Sequence, residues 1–260
     1  MRRLIVEEPF SRSAIWSRRI AWFAVVVSLL SVWLTRSERV DIQTGGILLA
    51  TSTAIAILAM FLAVMGFVSV WRHGRRGVRF ASVSFALSIL ILAGPAFIAI
   101  QGAGLPILND VTTDLNNPPS FSRSAVVLGA RNGHIPAEPG PDIRQTQRNA
   151  YPQVGPLVLD IPAEEAFTLV RNVLRNRGYQ ILEALPPGGR SGLGRIDAVD
   201  RSLLLRFPDD VTIRIRPLAD GARVDIRSAS RYGRADFGVN ARRILSLVEE
   251  ISQATTQAAP

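Results

Sequence analysis

Three long, uncharged apolar runs dominate the first hundred residues. They cover Ile20–Leu34, Gly45–Trp71 and Phe80–Leu108. A helix needs about 20 apolar residues to cross a bilayer, although a shorter run suffices where flanking arginines extend to the headgroups. The second and third runs are long enough, and the first has arginines on both sides. We therefore predict a membrane domain of residues 1–108 with three transmembrane helices, at about 18–36, 45–71 and 80–101.

The apolar pattern changes in the last hundred residues. Within 166–174 the apolar positions fall on one face of a helix, and Pro162 suits its first turn. Within 211–216 apolar and polar residues alternate, as in a half-buried strand. Similar patterns predict further strands at 157–161, 179–185, 195–199, 203–207 and 223–228, a turn at 208–210 and a final helix from about Asp236. The elements predict a soluble α+β domain over 157–260, with two helices packed on one antiparallel sheet.

Residues 109–156 lie between these two parts and are rich in Pro, Gly, Asn and Ser. Pro118 and Pro119 exclude regular structure around them, because proline donates no backbone hydrogen bond and disfavours a helical residue before it. The segment 130–142 has the composition of an exposed loop. We predict a motif-bearing connector over 109–156.

The charge is unevenly distributed. The net charge is +9, and all 30 basic residues are arginine. Up to Gln101 there are 11 arginines against 4 acids, and beyond it 19 against 17. The basic excess therefore flanks the apolar runs, whereas a nucleic-acid-binding protein would carry it on the folded domain. We predict no nucleic-acid partner.

The arginines also predict orientation. Five precede the first run and four lie between the second and third runs, whereas the arginines between the first and second runs are offset by acids. Cytoplasmic loops carry the excess of arginine. The N-terminus is therefore predicted to be cytoplasmic and the C-terminal domain to lie on the opposite side.

Several classes of site are disfavoured by composition. The chain has no cysteine, and His73 and His134 are too far apart for a familiar zinc motif. No ionisable residue lies inside the apolar runs, which argues against a transporter or a proton relay. We predict no metal and no cofactor.

The densest chemistry lies between Asp225 and Arg243, where the pattern predicts a strand end, a tight turn and a helix start. Asp236 is placed to cap that helix, and arginines and serines lie close to its first backbone amides. Such a turn is typical of an anion site. The segment from Asp110 to Asp114 could close over it. The candidate anion or headgroup site comprises Arg227, Ser228, Ser230, Arg231, Asp236, Asn240, Asp110, Thr112, Thr113 and Asp114.

Two other interpretations of these residues stay open. Arg227, Ser228, Asp236 and Asn240 could form a buried polar network that ties the last strand to the last helix. Catalysis is the third possibility, although His134 would be the sole histidine partner for the serines, and it lies in the connector.

Four motifs in this chain resemble the domain of unknown function 1499 family. They are NDVTTD with NNPPSF, Tyr151–Pro152, LRFPDDVTIRIRP and RSASRYGRADFGVNARRI, in that order from about Asn109 to Ile251. The resemblance implies an uncharacterised domain of bacteria and plastids, often found after membrane segments. It brings no established catalytic residues. The residues that match its motifs are Asp110, Thr112, Thr113, Asp114, Pro118, Pro119, Phe121, Asp209, Asp210, Arg227, Ser228, Ser230, Arg231, Asp236, Gly238 and Asn240.

Together these observations predict a multi-pass protein of the bacterial inner membrane whose C-terminal domain is periplasmic. The expected function is that of a ligand-binding or interaction module in cell-envelope maintenance, not of an enzyme. Its expected partners are the bilayer and an envelope protein, a lipid headgroup or a glycan. The alternative is an envelope enzyme that acts on a phosphorylated or glycan substrate through Asp110, Asp114, Arg227 and Arg231, and a scaffold is a third possibility.

Overall fold

The protein forms two compact units that divide after Ala103. The computed structural model describes residues 8–189, 191–202 and 205–258. The first unit consists of three helices, and the second carries a sheet with helices. This architecture confirms the predicted fold class.

The first unit contains helix α1 (Arg12–Arg36), helix α2 (Ile42–His73) and helix α3 (Val78–Gly102). All three are long and apolar enough to cross a membrane. Side-chain caps fix where the first two begin, since the Ser11 hydroxyl accepts from the Ala14 amide and the Asp41 carboxylate from the Thr44 amide. Three helices therefore lie at the positions of the predicted spans, and α1 and α2 extend several residues beyond the predicted limits.

Small side chains line the contacts between these helices. The buried residues of α2 are all small: Gly45, Ser52, Ala56, Ala59, Ala63 and Gly66. A Cβ atom on Gly66 would lie 3.1 Å from Cα of Ala14 on α1. Large apolar residues such as Trp22, Phe61 and Leu90 are exposed instead. Lipid chains solvate large apolar groups as well as protein does, so close backbone approach is what holds such helices together.

The second unit contains six strands and four helices in the residues that the structure describes. In chain order they are β1 (Asp110–Thr112), α4 (Ala125–Ala130), α5 (Pro141–Ala150), β2 (Leu157–Leu159), α6 (Ala163–Asn176), β3 (Gln180–Leu185), β4 (Gly194–Arg201), β5 (Pro208–Leu218), β6 (Gly221–Ser230) and α7 (Val239–Ala258). The strands pair antiparallel in the order β1-β6-β5-β4-β3, and β2 pairs with another part of β6.

Helices α6 and α7 pack on one face of this sheet, here called the helix face. Val211, Ile213 and Ile215 project from β5 into a core shared with these helices, as their alternation predicts. Pro162 directly precedes α6, and Gly178 follows its end with φ of 77°. Both agree with the capping rules for proline and glycine.

The opposite face of the sheet, here called the outer face, is covered by residues 114–150, here called the covering segment. This segment includes α4 and α5 and buries polar side chains of the sheet such as Asp197, Asp210 and Thr212. Arg131 lies within the predicted exposed loop but is only 1% exposed. Most of that loop is exposed, but the prediction fails at Arg131, because Asp197 and Asp210 on the outer face bind this arginine.

The predicted strand at 203–207 and the predicted turn at 208–210 also differ from the structure. Leu203 and Leu204 lie outside the described residues, and Leu205–Phe207 belong to the connection between β4 and β5. There the Ser202 amide donates to the Phe207 carbonyl over 3.0 Å. Residues 208–210 are buried in β5, where arginines neutralise both aspartates.

Candidate functional site

The residues from Asp225 to Arg243 do not all lie on one face of the sheet. Successive side chains of a strand point to opposite sides. Arg227 therefore projects from β6 to the outer face, as does Arg231 directly after its end, and Ser228 and Ser230 project to the helix face. The predicted cluster consequently forms two groups of contacts separated by the sheet.

The group on the helix face joins β6 to α7. The Ser228 hydroxyl donates to Oδ1 of Asn240 over 2.6 Å, and Nδ2 of Asn240 donates to Ser230 over 3.0 Å. Arg243 donates to the Ser228 hydroxyl and forms ion pairs with Asp200 and Asp209. Asn240 is fully buried. These groups satisfy one another, which agrees with the interpretation as a buried network.

Asp236 caps α7, as predicted. Its two carboxylate oxygens accept from the amides of Gly238, at 2.9 Å, and Asn240, at 2.7 Å. Phe237 and Gly238 adopt positive φ of 52° and 74°, which turns the chain into the helix. The carboxylate of Asp236 therefore occupies the place that an anion would take at the start of α7.

On the outer face, Arg227 binds Asp110 of β1 through two parallel contacts. Nε lies 3.0 Å from Oδ1, and Nη2 lies 2.6 Å from Oδ2. The same guanidinium donates to the Pro119 carbonyl and lies 4.8 Å from the centre of the Phe121 ring. Arg227 is 3% exposed. It fastens both β1 and the covering segment to the sheet.

Arg131 of the covering segment enters the same layer. It donates to Asp210 over 2.8 Å and to Asp197 over 3.1 Å, and its guanidinium also contacts Phe121. Arg231 binds Asp210 from the other side through two contacts of 2.8 and 2.9 Å. Asp210 thus holds two arginines, which accounts for the burial of all three charges.

Asp114 begins the covering segment and lies above the other end of β5 and β6. It accepts from Arg214 at 3.1 Å and Arg223 at 2.9 Å, and both arginines also bind Asp225. Asp225 is fully buried, so its pairing with Arg214 is shielded from solvent. The covering segment supplies the second carboxylate that makes this burial possible.

Thr112 and Thr113 hold β1 in place through backbone contacts. Gln147 of α5 exchanges two hydrogen bonds with the backbone of Thr112, at 3.1 and 2.6 Å. The Thr113 hydroxyl accepts from the Ile226 amide at 2.9 Å. Neither side chain faces an opening, so both contribute to the joint between β1, α5 and β6.

Burial dominates the electrostatics of the outer face. Desolvation raises the pKa of Asp110, although the hydrogen bonds from Arg227 oppose the rise. Desolvation likewise raises the pKa of Asp197, whose Oδ2 has no hydrogen-bond partner. Among the described residues, no group of three or more His, Asp or Glu side chains could hold a metal ion.

A cleft of about 240 Å³ opens on the outer face beside the covering segment. Its walls come from β3, β4, β5, the β3–β4 connection and the covering segment. They consist of Pro119, Ser120, Leu185, Ser191, Leu193, Arg195, Thr212 and Arg214. None of these residues belongs to the predicted site. Alternation within β4 and β5 could have placed Arg195 and Thr212 on the outer face, but no local pattern indicates that the covering segment leaves them open.

The comparison with protein families supports the motif resemblance. The family model described as "Protein of unknown function (DUF1499)" matches residues 110–251, which is more than half of the chain. A search of curated proteins finds no match. The matched span begins at β1 and ends within α7, so it includes the covering segment and both faces of the sheet. With three apolar helices before that span, the chain belongs to the DUF1499 family as a membrane-anchored member.

Proposed function

We propose that this chain is a bacterial inner-membrane protein that presents a periplasmic ligand-binding module and serves in cell-envelope maintenance. Support for the orientation comes from the arginines that precede α1 and that lie between α2 and α3. Support for the module comes from the second unit, which has its own core and its own sheet.

The observation that carries binding is the cleft beside the covering segment. The arginines and acids predicted as a site are occupied with one another, whereas Arg195 in the cleft wall makes no hydrogen bond or ion pair within the described residues. An unpaired guanidinium in a concave site is typical of a group that receives an anion. The proposed partners are therefore a lipid headgroup, a glycan or an envelope protein that carries negative charge.

An enzyme working through Asp110, Asp114, Arg227 and Arg231 has less support. A general base needs a lone pair directed at its substrate. Asp110 instead holds Arg227, and Asp114 holds Arg214 and Arg223. Arg231 is bound to Asp210. A catalytic arrangement would require these pairs to separate first.

Single cysteines test the orientation directly, because the chain has none of its own. His134→Cys lies in the second unit, and Arg75→Cys lies between α2 and α3; both positions are exposed. A membrane-impermeant maleimide added to spheroplasts is expected to label the first variant and to label the second only after lysis. Labelling of Arg75→Cys in intact spheroplasts, with His134→Cys protected, would reverse the orientation and refute the periplasmic location.

A further inference from the structure

The cleft on the outer face is small, and two of its polar side chains, Thr212 and Arg195, have no hydrogen-bond partner among the described residues. Thr212 is fully buried, and its hydroxyl has no hydrogen-bond partner among the described residues. Most buried hydroxyls in folded proteins have one. Arg195, on the adjacent strand, is partly exposed and forms no hydrogen bond or ion pair within the described residues.

The charges around Arg195 leave its guanidinium available. Asp197 lies two positions further along the same face of β4 and interacts electrostatically with Arg195, but its ion-pair partner is Arg131. Glu183 faces Asp197 across β3 and β4 but makes no ion pair with Arg195. Arg214, on the other wall, uses Nε and Nη2 for Asp225 and Asp114, so its Nη1 donors stay free. Two guanidinium groups therefore offer donors to the same opening.

The volume of the cleft restricts what can enter. Pockets that enclose a whole small-molecule ligand usually measure about 300–1,000 Å³, and this one measures about 240 Å³. It can hold one polar end of a molecule. Leu185 and Leu193 add apolar wall on one side, so the remainder of the ligand can extend past them.

We propose that this cleft binds the phosphate group of a phosphate ester, such as a phosphoglycerol headgroup. The phosphate oxygens accept from Arg195 and from Nη1 of Arg214, since planar guanidinium donors match phosphate geometry. The hydroxyl of Thr212 supplies a further hydrogen bond. This assignment rests on the proposed binding function and names its ligand class. The same chemistry occurs in a membrane lipid and in a soluble phosphate ester.

The test uses the full chain in nanodiscs, with glycerol 3-phosphate titrated by calorimetry in zwitterionic lipid. Arg195→Ala is expected to weaken binding about tenfold or more, because one charge-assisted contact is lost. Arg216→Ala is the matched control. It removes the same charge from the outer face of β5 but does not line the cleft, so its affinity should stay within about twofold. Equal losses in both variants would show non-specific charge attraction and overturn the site.

Thr212→Val tests the role of the Thr212 hydroxyl in the cleft. The protein should stay folded, because the substitution removes a hydroxyl that has no hydrogen-bond partner and keeps nearly the same side-chain volume. A severalfold loss of affinity for glycerol 3-phosphate is expected, and an unchanged affinity would overturn the role of Thr212.

Native mass spectrometry distinguishes a membrane lipid from a soluble phosphate ester as the source of the phosphate. Retention of phosphatidylglycerol by the wild type but not by Arg195→Ala identifies the lipid headgroup. Binding of neither probe would refute the cleft assignment, while the cysteine-labelling experiment would still decide the periplasmic location.

Discussion

Asp197 shows what burial does to a single charge on the outer face. One of its oxygens accepts from the Ser122 amide and from Arg131, whereas the other has no partner. Desolvation therefore outweighs these contacts and raises the pKa above its ordinary value of 3.8. Between that value and the raised pKa the folded state binds more protons than the unfolded state, so this carboxyl stabilises the fold less as the pH rises.

Replacing Asp197 with asparagine should therefore change the pH dependence of stability. Asp197→Asn keeps an acceptor for Ser122 and removes the desolvated charge. The variant should be at least as stable as the wild type at pH 8, and its advantage should shrink as the pH falls towards 4. Pulse proteolysis of the full chain in urea, from pH 4 to 8, measures the midpoint of the second unit. Asp160→Asn is the control variant, because it makes the same substitution at an exposed position.

A larger effect belongs to Arg131, which holds two buried acids. Arg131→Ala leaves Asp197 without its ion-pair partner and Asp210 with Arg231 alone. Removing one partner of a buried ion pair typically costs about 3–5 kcal/mol, and the same urea measurement should report a loss of that order. Arg148→Ala, at an exposed arginine that hydrogen-bonds Gln145, should cost less than about 0.5 kcal/mol. A comparable loss in the two variants would contradict the role of the buried layer.

The burial of some single residues can be predicted from the sequence, whereas that of others cannot. Asp197 stands between Ile196 and Ala198, so alternation places it opposite the core. Arg131 follows a six-residue helix that has no apolar period of its own. Its burial depends on acids 66 and 79 positions away, and no local pattern connects them. Six of the predicted site residues lie around the β6–α7 turn, whereas Asp114 lies at the other end of β5 and β6. Their division between two faces follows from a register that only the fold displays.

Elements with a strong period were the easiest to predict. The three apolar helices follow from the length of their uncharged runs, and α6 and the β5–β6 hairpin follow from repeats of 3.6 and 2 residues. β1 has three residues and no repeat, and it is a strand because β6 pairs with it. Residues 208–210 resembled a turn because Pro and Asp favour turns. Ion pairs with Arg231 and Arg243 override that preference in β5.

The contact between α1 and α2 provides a test at the scale of elements. Gly66→Leu would place side-chain carbon against the backbone of Ala14, where even a Cβ has 3.1 Å to its neighbours. We expect the helices to separate and the melting temperature in detergent to fall by several degrees. Gly46→Leu on the same helix is the control, because a Cβ there meets nothing within 4 Å. Both substitutions raise apolarity equally, so a fall in both variants would contradict specific packing at Gly66.

For the whole molecule, the structure makes the covering segment part of the second unit. Residues 104–260 form one compact unit, and Leu108, Val111 and Tyr151 belong to its core. A fragment of residues 157–260 lacks these side chains, together with Asp110, Asp114 and Arg131. It retains Arg227 without Asp110 and Asp197 without Arg131, so its outer face would carry unpaired charge.

These differences predict how two fragments behave. The fragment 104–260 should give dispersed amide resonances and a cooperative urea transition, whereas 157–260 should give neither. The comparison needs both fragments at the same concentration and pH. A cooperative transition of 157–260 at a similar midpoint would show that the sheet and its two helices suffice, and that the covering segment is an addition to the fold.

The pairing of β1 with β6 has a consequence for how the protein is made. Asp110 leaves the ribosome before Arg227, its partner 117 positions later. The covering segment is likewise synthesised before most of the sheet that it covers. Because domains emerge from the N-terminus onwards, these early residues must stay solvated until the last strand arrives. The outer face is therefore completed only at the end of synthesis, and a chain truncated before β6 lacks Arg227, which fastens β1 and the covering segment to the sheet.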